Sequence, residues 1–297
     1  MRITGRRWRA SPIRGPTRGR YKVAEIVGAF AASHTPLFLL RHDAPAEEVR
    51  EEVFSSYRRM ASEIVARGAE AMVLLGNDHL HAFSMDRYPA LAIGAGPRFG
   101  PVETEPFLPS DIYEGAEGLA SHLARGLLAN GFDPLLCREL ALDHSFVSPL
   151  ALMGDTGLPV VPILQNTVAP PLPPAARAYQ LGVSLRRLLE GYEGHERVAV
   201  VATGAPSHWI GTPELGAIDE VWDREVIDML CRADAKGLSA WPQEKIDEGG
   251  NGGNEIRTWI SAAALSGDTE ANLWTYRIEP LWFLGVTVIE WPIGPAL

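Results

Sequence analysis

The chain has 297 residues, 46% of them hydrophobic, which is enough to bury a core in one large domain or two modest ones. Its formal net charge of −10 argues against a nucleic-acid groove, and its two cysteines, Cys137 and Cys231, are too few for a disulfide framework. No apolar run reaches the roughly 18 residues that a transmembrane helix needs, and the N-terminus lacks the apolar segment of a secretory signal. We therefore expect a cytoplasmic protein that binds neither nucleic acid nor membrane.

Positive charge is concentrated at the N-terminus, where residues 1–22 hold seven arginines, one lysine and no acidic residue. This composition is typical of a disordered extension, although a basic arm that touches nucleic acid or an acidic partner has the same composition. We expect a disordered extension over residues 1–22 and one folded domain over residues 23–297.

Short apolar runs alternate with longer segments of helical spacing along the rest of the chain. Buried strands are predicted at residues 24–32, 71–75, 134–142, 158–164, 197–202 and 284–291. Helices are predicted at residues 45–67, 111–131, 175–190, 219–235 and 255–265. The alternation predicts an α/β fold, a single-domain sandwich with a central mixed sheet flanked by helices.

Four of the eight histidines follow an apolar run, directly or after a short polar turn: His34, His79, His144 and His208. Because a sheet fixes the loops at its strand ends, these four side chains are expected to meet at one edge of the sheet. His81 is a rival to His79, since both face the same side if that segment is extended. The other histidines lie in polar or helical contexts and are expected at the surface; they are His42, His122 and His195.

Glu255 follows a glycine-rich loop at residues 248–254 and opens a predicted helix. Glycines let a backbone approach a cleft closely, so this carboxylate is a candidate to join the histidines. Two neutral imidazoles and one carboxylate suit Fe(II), Mn(II) or Zn(II) by ligand type. The residues alone therefore leave open an iron oxygenase and a zinc- or manganese-dependent hydrolase that activates water.

Five short segments carry a resemblance to a known family. They are ASHTP at residues 32–36, GNDH at 76–79, LDH at 142–144, GAPSH at 204–208 and GGNE at 252–255. Together, and in this order, they resemble the class III extradiol ring-cleaving dioxygenases, typified by the catalytic (beta) subunit of protocatechuate 4,5-dioxygenase. The resemblance covers nearly the whole chain from Ala24 onward and implies that residues 23–297 form a catalytic domain.

The resemblance implies a non-haem Fe(II) site and roles for the remaining residues. The metal ligands that it implies are His34, His79 and Glu255. By the same resemblance, His81 is not a ligand. His208 is the base or hydrogen-bond partner that helps to ionise a catechol hydroxyl, and His144 is the acid during O–O cleavage. Asp143 either orients a neighbour or caps a turn.

The substrate and the assembly stay open at this stage. Protocatechuate, gallate and related catecholic or aminophenolic rings all offer two adjacent chelating groups to the metal, and O2 is the co-substrate. Arg257 and Arg277 are possible partners for a substrate carboxylate, although surface positions are expected for both. The resemblance implies a homo-oligomer or a hetero-oligomer with a small helical subunit. A non-enzymatic relative that uses the cleft to bind a partner is a further alternative.

Overall fold

The computed structural model describes residues 24–194 and 197–294, so the prediction for residues 1–22 lies outside the described residues. The strands are β1 (Glu25–Ser33), β2 (Ala71–Gly76), β3 (Leu91–Gly94), β4 (Arg98–Phe99), β5 (Tyr113–Glu114), β6 (Leu135–Cys137), β7 (Val160–Gln165), β8 (Arg197–Gly204), β9 (Asn272–Glu279) and β10 (Leu284–Trp291). The helices are α1 (Leu37–Leu40), α2 (Glu47–Ala66), α3 (Glu117–Ala129), α4 (His144–Met153), α5 (Ala175–Glu190), α6 (Glu220–Cys231), α7 (Ala235–Ser239), α8 (Gln243–Asp247) and α9 (Ile256–Ser266). Short 3-10 turns lie at Met85–Arg87 and Gly252–Glu255.

Eight strands form one mixed sheet in the order β6-β3-β7-β2-β8-β1-β10-β9, and β4 pairs with β5 separately. The four central strands, β7, β2, β8 and β1, run parallel, while β10 and β9 continue the sheet antiparallel. Every residue of β2 and β7 is buried, as expected for parallel strands that are covered on both faces. The parallel register brings the ends of β1, β2 and β8 to one edge.

Helices cover both faces of the sheet, and alternate residues of β8 point into the two layers. Val200 belongs to a core shared with α3, α5, α6 and α9, whereas Val201 belongs to a core shared with α2 and α4. The contact between α5 and α9 is close, since a Cβ on Gly182 would lie 2.1 Å from the backbone oxygen of Ser261. The predicted α/β sandwich with a mixed central sheet is confirmed.

Several elements differ from the sequence-based predictions. The helix predicted at 111–131 begins only at Glu117, and the strand predicted at 134–142 is limited to Leu135–Cys137. The helix predicted at 219–235 ends already at Cys231, and the short helix α7 that follows it was not predicted. β3, β9 and α4 were not predicted, because β3 has four residues, β9 is a half-exposed edge strand and α4 contains Pro149.

No helix in the described ranges is both long enough and apolar enough to span a membrane.

Candidate metal centre and active-site pocket

His34 lies directly after β1 and is held by the neighbouring strand. Its backbone N–H donates to the carbonyl of Gly204 (2.8 Å), and the residue is 3% exposed. The Nε2 atom is 3.3 Å from Glu255 Oε1, yet neither ring nitrogen has a hydrogen-bond partner among the described residues. Burial lowers the pKa of His34, which favours the neutral imidazole that binds metals.

His79 follows β2 and is oriented by Asp143. Its backbone N–H and its Nδ1–H both donate to Asp143 Oδ2, each at 2.8 Å. Because the Nδ1–H group donates its hydrogen bond to Asp143, Nε2 is directed at Glu255 Oε1, 3.1 Å away. Burial opposes a charge on this ring, but Asp143 and Glu255 outweigh burial and raise the pKa of His79 well above its usual value. Asp143 also caps α4, where its side chain accepts from the N–H of Ser145, so it both orients a histidine and caps a helix.

Glu255 ends the 3-10 turn before α9 and is 1% exposed. One oxygen, Oε1, faces His34 and His79 and accepts from the side-chain amide of Asn77 at 3.0 Å. The other oxygen, Oε2, has no hydrogen-bond partner in the described part of the chain. Burial favours the neutral acid, but the neighbouring imidazoles outweigh burial and hold the pKa of Glu255 well below its usual value.

These three side chains fit a divalent cation. Buried polar atoms are normally paired, so the unpaired nitrogens of His34 and the unpaired Oε2 of Glu255 indicate a ligand. Two imidazoles and an ionised carboxylate are a donor set for a catalytic transition metal. His144 is an alternative to Glu255 as the third metal ligand, because a ring nitrogen of His144 lies within 4.8 Å of a ring nitrogen of His34 and of His79.

His144, at the start of α4, is hydrogen-bonded to the carboxylate of Glu105, a residue that the sequence analysis did not single out. Its backbone N–H donates to Glu105 Oε2 (2.8 Å) and its Nδ1–H donates to Glu105 Oε1 (2.6 Å). The Nε2 atom is therefore the free ring nitrogen, and the ring stacks on that of His79 at a centroid distance of 4.2 Å. Glu105 is 6% exposed and lies 39 residues before His144, in a stretch without regular spacing, so no sequence pattern linked the two.

His208 follows β8 and is placed by the glycine-rich loop. Its Nδ1–H donates to the carbonyl of Pro206 (2.9 Å), and its Nε2 is 3.9 Å from Glu255 Oε2. Since a carbonyl can only accept, the proton is on Nδ1 and Nε2 is left unprotonated in the neutral ring. A Cβ on Gly252 would lie 2.1 Å from this Nε2, and one on Gly250 would lie 2.3 Å from the His208 carbonyl oxygen. The glycines thus allow the close approach that was expected of them.

The ring nitrogens of His81 contact side chains other than His34, His79 and Glu255. Its Nδ1 bonds to Thr104 Oγ1 (2.7 Å), and its Nε2 is 3.5 Å from Glu105 Oε1. A second possible metal-holding group joins these side chains, namely His81, Glu105, Asp143 and His144. Its carboxylates already accept hydrogen bonds from His79 and His144, so its geometry is explained without an ion.

The arginines and the remaining histidines divide between surface and interior. Arg277 is exposed and its NH1 is 3.7 Å from Glu52 Oε2, as expected. The surface position expected for Arg257 is wrong, because it is 1% exposed and donates to the carbonyl of Pro173 and to Gln243 Oε1. Although Glu255 lies two residues before it on the chain, this guanidinium also hydrogen-bonds to Asn254 and to none of the histidines in the described residues. His42 is exposed, His122 is half-buried against the carbonyl of Leu188, and His195 lies outside the described residues.

A cavity of about 380 Å³ opens beside these side chains. Five imidazoles line it: His34, His79, His81, His144 and His208. The apolar side chains of the lining, which we call the apolar wall, are Pro36, Leu37, Trp209, Ile210, Leu215, Trp282, Phe283 and Leu284. The cavity therefore offers a candidate metal site, two further imidazoles with free Nε2 atoms and a surface that fits an aromatic ring.

Comparison with known proteins identifies the family. Residues 28–286 match the model for the catalytic LigB subunit of aromatic ring-opening dioxygenase. A 2,3-dihydroxyphenylpropionate/2,3-dihydroxicinnamic acid 1,2-dioxygenase from Paraburkholderia xenovorans is 30% identical over 84% of this chain and 92% of the relative. One from Photorhabdus laumondii is 26% identical over 89% of this chain and 96% of the relative.

Two further similarities are partial or limited to the fold. A gallate dioxygenase from Pseudomonas putida is 32% identical over 59% of this chain, which spans about half of that relative (53%). The crystal structure of uncharacterized protein JW3007 from Escherichia coli K12 shares the fold, with a TM-score of 0.56 and 17% identity over 89% of this chain and 99% of that one. The family match covers most of the chain, and the two dihydroxyphenylpropionate dioxygenases match it over nearly their whole length. The chain therefore belongs to the LigB family of catalytic subunits and is an extradiol ring-cleaving dioxygenase.

Proposed function

We propose that this dioxygenase uses Fe(II), bound by His34, His79 and Glu255, to open the ring of a catecholic substrate. The observation that carries the proposal is the meeting of three donors from separate elements beside one cavity, of which His34 and Glu255 are buried and have unpaired atoms. Two histidines and one carboxylate are the donor set of non-haem Fe(II) oxygenases, and iron held by them would have positions left for substrate and O2. The catalytic domain would comprise residues 23–297, and the family match does not favour a hydrolase.

The bound iron would supply a Lewis acid that lowers the pKa of a catechol hydroxyl and an electron path between ring and oxygen. The side chains around it would move the protons. His208 has its proton fixed on Nδ1 by the Pro206 carbonyl, so its Nε2 can accept a hydroxyl proton as the substrate binds. We therefore propose His208 as the general base.

His144 is the proposed acid. Its Nδ1–H is held by Glu105, so a proton on Nε2 would be free to pass to an oxygen of the opening ring. The Glu105 carboxylate balances the positive charge of the doubly protonated ring. Glu105 is therefore proposed as a positioning residue that acts through His144.

Glu105→Gln is expected to lower kcat by about tenfold to a hundredfold while the iron content and KM stay close to those of the parent. Glutamine keeps the size of the side chain but removes the charge that holds the His144 ring. Oxygen uptake, iron analysis and a kcat–pH profile measure the effect. Glu103→Gln, at an exposed position in the same segment, is the control. An unchanged kcat and pH profile in Glu105→Gln would remove Glu105 from this role.

Anaerobic purification, metal analysis and an oxygen electrode test the proposed iron and substrates together. Fe(II) near one per chain, with O2 uptake on catechol, protocatechuate or gallate, is the expected result. Bound zinc or manganese that alone supports turnover would contradict the iron assignment. Gallate and 2,3-dihydroxyphenylpropionate are the first carboxylated compounds to assay, because relatives of this chain are named for them. Because the assay uses the purified single chain, turnover would also show that no small helical subunit is required.

A further inference from the structure

Two loops that meet supply most of the apolar wall of the cavity, and Pro36 and Leu37 supply the rest. Trp209, Ile210 and Leu215 follow His208, and Trp282, Phe283 and Leu284 lie between β9 and β10 or open β10. The loops touch where Gly216, at φ +91°, faces Phe283, since a Cβ there would lie 3.4 Å from the Phe283 ring. Both loops thus contribute apolar side chains to the cavity that the imidazoles also line.

Part of this wall is exposed to solvent. Ile210 is 42% exposed and Leu215 is 56% exposed, although both are large apolar side chains. Large apolar residues that cluster at the mouth of a cavity are typical of a binding surface, because a ligand then removes them from water. Their position on the cavity indicates contact with a part of the substrate that extends outward from the reacting oxygens.

Charges around the cavity do not favour a substrate carboxylate. Within the described ranges, no lysine or arginine lines the cavity. Its imidazoles face buried carboxylates instead: His81 and His144 contact Glu105, while His79 contacts Asp143 and Glu255. A carboxylate placed against an apolar wall without a cation would lose its hydration and gain no ion pair.

The arginines considered for such an ion pair contact other groups. Arg257 hydrogen-bonds to Pro173 and Gln243, and Arg277 faces Glu52. Arg41 places its guanidinium 6.0 Å from the centre of the Phe283 ring, but Arg41 is not part of the cavity lining.

We propose that the substrate of this enzyme carries an uncharged, apolar ring substituent, alkyl or aryl, that lies on the apolar wall, rather than a carboxylate. The proposal rests on the proposed catechol-opening function. It separates this chain from relatives named for gallate and for dihydroxyphenylpropionate, which are both carboxylates.

Paired substrates test the proposal with the full-length iron enzyme. The pairs are 3-propylcatechol with 3-(2,3-dihydroxyphenyl)propionate, and 4-methylcatechol with protocatechuate; unsubstituted catechol reports ring opening itself. We expect kcat/KM to favour the neutral member of at least one pair by about tenfold or more, as apolar pockets discriminate by such factors. Equal values, or a preference for the carboxylate in both pairs, would overturn the substrate class while turnover of catechol upheld the proposed function. Loss of turnover on catechol and on every substituted ring would overturn both.

Leu215→Arg places a cation on the exposed part of the apolar wall. It should shift the neutral-to-carboxylate ratio of kcat/KM toward the carboxylate by about threefold to fivefold, the size expected for a solvent-exposed ion pair. Leu128→Arg is the matched control, because Leu128 is equally exposed (56%) but lies on α3, away from the cavity. An identical ratio in Leu215→Arg and Leu128→Arg would contradict contact between the substituent and this wall.

Discussion

Glu255→Ala is expected to abolish iron binding and to lower turnover by at least about a thousandfold. The change removes the only proposed ligand that carries a negative charge, at a point where two imidazoles converge on Oε1. Iron per chain, measured after anaerobic reconstitution, and O2 uptake with catechol give the result. Glu255→Gln is a second variant that keeps the side-chain size, and circular dichroism checks that both variants fold.

The choice between Glu255 and His144 as the third ligand makes this experiment decisive. His144 lies close enough to His34 and His79 to complete a site of three histidines. If His144→Ala lost its iron and Glu255→Ala kept it, the ligand set would be wrong. Glu248→Ala is the control, since Glu248 is exposed, pairs with Lys245 and belongs to the same glycine-rich segment.

His208→Ala and His144→Ala are expected to keep iron but to lose about a hundredfold to ten-thousandfold in kcat, the range typical of a lost general acid or base. His208 has its free Nε2 beside the candidate metal site, and His144 has its Nδ1 held by Glu105. Steady-state O2 uptake and iron analysis on the same preparations separate catalysis from metal binding.

A matched histidine provides the control for these variants. His42 is exposed and does not line the cavity, so His42→Ala should behave as the parent. Turnover at the parental rate in His208→Ala, or in His144→Ala, would remove that residue from the proposed proton transfers.

The sequence could predict the central sheet and the strand-end histidines for a physical reason. Fully buried parallel strands are continuous apolar runs, so their ends are visible as the first polar residues, and parallel pairing collects those ends at one edge. This logic found His34, His79 and His208. His144 was found beside an expected strand, but in the structure it opens a helix.

What the sequence could not predict depends on contacts between distant segments. Glu105 lies on an irregular stretch, and only the fold shows that it faces His144. Arg257 was expected at the surface because arginine is rarely buried, yet α9 is surrounded on all sides and its guanidinium finds carbonyl and amide acceptors there. Edge strands such as β9 lack the continuous apolar run that marked the central ones.

The proposed ligands lie far apart along the chain, since the two that approach each other at 3.1 Å, His79 and Glu255, are separated by 176 residues. A partly folded chain that lacks either β2 or the segment before α9 cannot present both donors. Binding free energy at the proposed iron site would be available only to the complete fold, so the cation and the native state would stabilise each other by linkage. In a cell, the supply of that metal would then influence how much of this enzyme persists, as well as how much of it is active.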